Sequence, residues 1–204
     1  MISKTAIIHP GVELGERVRI EDYCVIGCPN PSSEGKKTIV GNDAIIRSHT
    51  VIYAGNIIGH HFSTGNGVNI RENNKIGNNV SIGTHSIIEH HVSIEDGVRI
   101  HSQVFVPEYC ELRRGSWLGP KVVLTNAKYP KSSEAKRTLA GVIIEEDAII
   151  GANSTILPGI LIGKKSLIGA GSVVTKDVGE YEVMAGSPAV RINSIRNLPY
   201  KGEI

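Results

Sequence analysis

"IGNNVSIGTHSIIEHHVSIEDGVRI", residues 76–100, puts isoleucine at every sixth position: Ile76, Ile82, Ile88, Ile94 and Ile100. A period of six is neither the 3.6 of a helix nor the strict alternation of a strand. The anchors extend in both directions. One run is Ile8, Leu14, Ile20 and Ile26; a second goes from Val40 to Leu124; a third goes from Ile144 to Val174. Of the 25 anchor positions, 24 hold Ile, Val or Leu, and Thr64 is the exception. Those residue types make up 57 of 204 residues, so chance would fill about seven of the positions.

A sixfold anchor fits a chain that runs extended for a few residues, turns and repeats. Gly, Asn, Asp and His follow the anchors, as in "IGNN", "IEDG" and "IGAN", and supply the turns. Four residues after many anchors comes a small or branched residue (Val80, Ser86, Val92, Val98, Ser154, Ser172) that can also point inward. Three such sides close a triangular coil of 18 residues, stacked on the next at about 4.8 Å by parallel-strand hydrogen bonds. The narrow interior explains why aromatics make up only 4% of the chain while Gly supplies 23 residues. That density of Gly and Asn excludes a long regular helix.

The period breaks at "GCPNPSSEGKKTI" (27–39) and "TNAKYPKSSEAKRTLAGVI" (125–143), which are polar and read as loops thrown out from coil corners. After Val174 it stops. The predicted organisation is a β-helix over 1–174 with these two loops, followed by a C-terminal cap and tail over 175–204.

Net charge is +2, with 22 Lys and Arg against 20 Asp and Glu, and no basic block or aromatic platform appears. A nucleic-acid binder is therefore not expected. The segment "MISKTAIIHPGVELG" lacks the apolar stretch of a signal peptide, and no run reaches membrane-spanning length. Cys24, Cys28 and Cys110 form no paired framework and read as small buried residues in a reducing compartment. A cytoplasmic protein that does not meet a membrane is the expectation.

The hexads, and above all "IIGANSTILPGILIGKKSLIGAGSVVTKDVGEYEVMAGSPAVRI" (149–192), resemble the hexapeptide-repeat acyltransferases. The resemblance implies an all-β fold, a left-handed parallel β-helix of hexapeptide repeats with two loop insertions and a short C-terminal cap. The handedness, which departs from the usual right-handed crossover, comes from the resemblance alone. It also implies a homotrimer with acetyl-CoA, or another acyl-CoA, between neighbouring subunits, and no metal. "LGPKVVLTNAKYP" (118–130) is similar to a loop of N-acetyltransferases that modify amino groups on nucleotide-linked sugars. On that resemblance Asn126 lies near the acceptor amine. Tyr129 stands where the sugar-hydroxyl acetyltransferases carry a histidine. The insertion at 27–39 matches neither subgroup.

Elementary chemistry separates the two acceptors. A sugar hydroxyl needs a general base. A sugar amine with a pKa of about 7.7–8.0 is already partly nucleophilic at neutral pH and needs mainly positioning and oxyanion stabilisation. The expected function is acyl-CoA-dependent N-acyl transfer to a nucleotide-linked amino-deoxy sugar, with O-acetyl transfer to a sugar hydroxyl as an alternative.

Candidate residues follow, each beside a plainer reading. Asn126 and His85 are the catalytic candidates, with Glu72, His90, Gln103 and Tyr129 as substrate contacts. Glu72, His90 and Glu108 recur at 18-residue spacing and read first as a polar ladder at turns or at the trimer interface. His49 and His85 form another column, with Gly67 between and Gln103 beyond. Gly151 and Gly169, Ala152 and Ala170 stack as pairs; small residues admit pantetheine to the coil backbone, or are needed for tight turns alone. Lys164, Lys165, Lys176 and Arg191 can meet the CoA phosphates or form a solvated basic face. His49, His85 and His90 also resemble the zinc ligands of γ-class carbonic anhydrases, which keeps a hydroxide-generating zinc enzyme as a rival. Against that rival, His85 and His90 fall one residue late in the hexad. A β-helical binding or assembly module is a third reading, opposed by the C-terminal block.

Overall fold

Every sixth side chain turns inward because two-residue strands alternate with four-residue corners. The computed structural model describes residues 1–200. Its strands form three parallel sheets in which the chain visits face one, face two and face three in turn. Face one has nine strands, from Ile7–Ile8 to Val173–Val174; face two has eight, from Val12–Leu14 to Leu161–Ile162. Face three has ten, from Arg19–Ile20 through Leu167–Ile168, ending in Glu182–Gly186 and the antiparallel Ala189–Ser194. Residues 18 apart are ladder partners, as in Ile70 with Ile88 and Ile88 with Val106.

The anchors fill the prism. Ile26, Ile46, Ile52, Ile70, Ile88, Leu112, Leu118 and Ile150 are fully buried, and so are the second inward residues Val80, Ser86, Val98, Ser154 and Ser172. Thr64 fits this interior because its hydroxyl accepts the Arg47 backbone N–H at 2.9 Å. Phe62 is the one ring among the fully buried side chains of the described residues. Cys24 and Cys110 are buried and Cys28 is half-buried; burial pushes the Cys110 thiol up to about 12, which makes it a poor nucleophile.

Each corner bends through a residue at positive φ. Four are histidines: His49, His61, His85 and His91. This left-handed conformation favours Gly, Asn, Asp and His. Gly67, between His49 and His85, also has positive φ (+62°), and an added Cβ there would lie 2.7 Å from the His85 ring.

The first excursion leaves face one after Cys28 and returns to face two at Thr38; the second leaves after Leu124 and returns at Ile143. Both therefore spring from the same edge of the prism, the corner between faces one and two. The ladder continues across both, since Ile26 pairs with Ile52 and Leu124 with Ile156, although the register shifts by one residue where the first loop departs, between Ile26 and Cys28. Beyond Val174, the Glu182–Gly186 strand extends face three by pairing with Leu167–Ile168. The last four residues of the 175–204 segment lie outside the described residues. Among the described residues no helix is long and apolar enough to cross a membrane.

Candidate active site

The corner between faces one and two carries a vertical column at 18-residue spacing: Ala54, Glu72, His90, Glu108 and Asn126. The two loops flank it, one at each end. Asn126 opens the second loop, and its carbonyl accepts the Ala140 N–H at 2.9 Å, which ties the two ends of the loop together. Its side chain is largely buried, and its Nδ2 donates to Glu108 Oε2 at 2.7 Å and to the Glu108 carbonyl at 3.3 Å. With both amide donor contacts directed at Glu108, the Asn126 Oδ1 remains as an acceptor. The other carboxylate oxygen, Glu108 Oε1, faces His90 Nε2 at 3.7 Å.

His90 continues sideways. Its Nδ1 lies 2.8 Å from the Nδ1 of His91, so one proton is shared between those two atoms. His91 in turn stacks on Tyr109, with ring centroids 5.8 Å apart. Burial, then the neighbouring His90 and Lys36 charges, holds the His91 pKa below the ordinary histidine value, which keeps the ring neutral at physiological pH.

At the foot of the column Glu72 is buried and accepts from Ser32 Oγ at 2.7 Å and from Arg71 Nε at 3.0 Å. Burial works to raise its pKa. The Ser32 hydrogen bond, further hydrogen bonding and the Arg71 charge outweigh it, so the net shift is downward and Glu72 is an anion. Ser32 belongs to the first loop. Asn73 Nδ2 donates to the Ser32 carbonyl at 3.2 Å, and Lys36 Nζ donates to Asn73 Oδ1 at 2.9 Å. The first loop is thus fastened to the column by three side-chain hydrogen bonds.

Two family models match this chain: a "bacterial transferase hexapeptide (six repeats)" model over residues 73–108 and a "hexapeptide repeat of succinyl-transferase" model over residues 141–176. The chain thus carries hexapeptide repeats of the kind those two transferase models describe, over residues 73–108 and 141–176. Over 178 residues (87% of this chain) it is 28% identical to the bifunctional protein GlmU of Clostridioides difficile. Over 54 residues (26% of this chain) it is 50% identical to the 2,3,4,5-tetrahydropyridine-2,6-dicarboxylate N-acetyltransferase of Ligilactobacillus salivarius. The chain spans 36% of the length of the first relative and 23% of the second. Among solved structures, LpxA, a UDP-N-acetylglucosamine acyltransferase from Bacteroides fragilis, superposes with a TM-score of 0.56 at 22% identity, covering all of this chain and 80% of that one. That likeness shows the fold, a left-handed parallel β-helix.

Within this hexapeptide-repeat coil the remaining candidates lie elsewhere. His49, His85 and Gln103 occupy the left-handed turn position of the corner between faces three and one, so one chain does not bring His85 to Asn126. His90 sits on the next corner, and no group of three His, Cys, Asp or Glu among the described residues could hold a metal ion. Tyr129 is exposed on the second loop, with Lys128 over its ring at 5.6 Å. Gly151, Ala152, Gly169 and Ala170 stack as the 18-residue spacing predicts, on the His85 corner. A Cβ at Gly151 would meet the Ala170 N at 2.5 Å, so close backbone approach by itself requires that glycine. Lys164 is ion-paired with Glu146 on the third corner, and Arg191 lies 3.4 Å from Glu182 on the terminal hairpin. Lys176 follows the last strand of face one.

Asn126 is marked twice in the sequence, by the likeness of its loop and by the repeat. Asn126 is the fourth polar member of the Glu72 column, and its distance of 18 from Glu108 is the signal for it. His91, Ser32 and Lys36 carry no such signal, because loop contacts do not follow the repeat.

Proposed function

We propose that this protein is an acyl-CoA-dependent N-acyltransferase, acetyl-CoA being the expected donor, acting on the amino group of a nucleotide-linked amino-deoxy sugar. The carrying observation is the Asn126–Glu108 side-chain hydrogen bond at the base of the second loop, with His90 Nε2 3.7 Å from the other carboxylate oxygen. Asn126 has no useful pKa, and Glu108 holds its amide so that Oδ1 is left to accept an N–H from the incoming amine. The amine is then oriented with its lone pair free for the thioester carbonyl, and positioning of this kind supplies much of the rate. Attack forms the C–N bond, collapse breaks the C–S bond, and the departing thiolate takes the ammonium proton. The names of the relatives, an N-acetyltransferase and an acyltransferase of a UDP-sugar among them, agree with this chemistry.

The outward side chains of face one support a homotrimer. Val25, Val51, Ile87, Phe105, Val123 and Val173 succeed one another along its ladder, interrupted by Asn69 and Thr155. On face two the same row contains Glu13, Lys75 and Glu111, and on face three Arg19 and Arg99. An apolar sheet face this long calls for a partner. With face one turned to a threefold axis, the His85 corner of one subunit meets the Asn126 corner of its neighbour. His85, Gln103 and the small residues at 151–152 and 169–170 would then line the acyl-CoA side of a groove whose acceptor side is the Glu108 column. Lys176 and Arg191 lie toward the end of the coil that such a groove leaves open, where the CoA phosphates would emerge.

The test is thiol release from acetyl-CoA with UDP-, dTDP- and GDP-linked 3-amino and 4-amino sugars. Turnover of one member of the panel, with mass gain at nitrogen, is expected. No thiol release with any of them would overturn the proposal.

A further inference from the structure

The first loop covers a cavity of about 750 Å³. Its floor is the corner backbone at His9, Pro10 and Gly11, its roof is the loop from Pro29 to Lys37, and one wall is Ala54. The volume lies within the ~300–1,000 Å³ range of small-molecule sites. Gly55, at φ +82°, lets the loop close down, since a Cβ there would lie 2.6 Å from Asn73 Oδ1 and 3.4 Å from the Lys36 stem.

Two properties say what such a cavity takes. It is mostly apolar, and its charged edge carries two lysines, Lys36 and Lys37, against one carboxylate, Glu34. Lys37 is neutralised by Glu13, whereas Lys36 bonds only to the neutral Asn73 amide and has no carboxylate partner among the described residues. Its charge is felt as far as His91, whose pKa it helps to lower. Arg71 stands one coil further along the same edge, over the Tyr53 ring at 5.0 Å and shared between Glu72 and Glu89, so Lys36 is the cation left to meet a phosphate.

The cavity also stands in register with the column. Ala54 is 72 residues, four coils, before Asn126. At about 4.8 Å per coil, that places it ~19 Å from Asn126 and ~14 Å from Glu108. A nucleoside diphosphate hexose is about a dozen bonds long from base to sugar amine. At the ~1.2 Å per bond of an extended chain it spans about 15 Å.

We propose that the cavity under the first loop is the nucleoside diphosphate pocket, with the base beside Ala54 and Pro31 and the diphosphate passing Lys36. The insertion then acts as the ruler that delivers the sugar amine to Glu108 and Asn126. This rests on the acceptor reading above, but its test does not need turnover.

UDP, dTDP and GDP are titrated separately by calorimetry into the wild-type protein and into Lys36→Gln and Ala54→Phe, with CoA titrated into each as a reference. At least one nucleoside diphosphate is expected to bind, about tenfold more weakly in Lys36→Gln through loss of a charge-assisted contact, and at least as much more weakly in Ala54→Phe, where the ring takes the place of the base beside that wall. CoA binding is expected to be unchanged. Lys36 is exposed, so that variant keeps the test valid even if Ala54→Phe fails to fold. Equal nucleotide affinity in wild type and Lys36→Gln, or a loss confined to CoA, overturns the assignment. Turnover of an amine acceptor without nucleotide binding overturns the pocket and leaves N-acyl transfer standing. Nucleotide binding that falls as expected, without thiol release from any acyl-CoA, supports the pocket and overturns the transferase.

Discussion

Asn126 and Glu108, 18 residues apart in sequence, are joined side chain to side chain at 2.7 Å across one coil step. The asparagine donates, so its orientation depends on the carboxylate, and the pair acts as one positioning unit. Asn126→Ala is expected to lower kcat on the order of 10²-fold by misplacing the amine. Glu108→Ala is expected to cost a similar factor, and the double variant little more than the worse single one, because residues that act as a unit are not additive. Steady-state kinetics on one amino-sugar substrate measures all three; full additivity would separate the two residues.

The pH dependence of the rate is expected to belong to the substrate. If Asn126 orients a neutral amine, the rate climbs with an apparent pKa near that of a sugar amine, about 7.7–8.0. The rising limb should survive in His85→Ala. Loss of that limb, with Asn126→Ala unaffected, would move the chemistry to the histidine.

Stability should fall on acidification. His91 and His101 are held below the ordinary histidine pKa, burial being the largest cause for both. The unfolded chain therefore takes up protons near pH 6.5 before the folded one does. That stabilisation is complete above about pH 6.5 and is lost as pH falls through the lower folded values. Glu72, also shifted down, adds a loss in the same direction below about pH 4.5. Melting temperatures from pH 7.5 to 5.5 are expected to fall for wild type and to fall less for His91→Asn, a residue that keeps the left-handed turn.

Gly141 closes the second loop, and a Cβ there would lie 2.0 Å from the Tyr109 carbonyl oxygen. Gly141→Ala must shift backbone on one side or the other. We expect a loss of roughly 1–3 kcal/mol in chemical denaturation, typical of overpacking, and a lowered kcat as the Asn126 end of the loop moves with it.

Much of this fold is written in the sequence because an 18-residue coil imposes the same demand at each level. An inward anchor at Ile88 must be matched at Ile70 and Val106, and even the exception, Thr64, obeys by capping the Arg47 amide. The polar column is legible for the same reason, since Glu72, His90 and Glu108 keep the spacing. The histidines misled in part. His49 and His85 look like a ligand column, yet their positive φ shows that turn geometry alone accounts for a histidine there. The first loop is legible as an excursion but its attachment is not, because Ser32 and Lys36 reach Glu72 and Asn73 through contacts that no period encodes.

Face one bears on whether the site is shared. Ile87→Arg and Val123→Arg place charges in the middle of its apolar row, on side chains 40% and 37% exposed in the single chain. Sedimentation is expected to show trimers for wild type and monomers for the variants, with acyl transfer lost in parallel. Fully active monomers would rule out a groove between subunits.

The central claim is that a positioned amine is the nucleophile, and a matched pair of acceptors tests it most directly. Acetyl-CoA is supplied with a nucleotide-linked amino-deoxy sugar and with the same nucleotide sugar carrying a hydroxyl at that carbon, and thiol release is followed for each. The account predicts turnover of the amine and none of the hydroxyl sugar, because no general base is set against a hydroxyl at Asn126. Equal or preferential turnover of the hydroxyl sugar would contradict it.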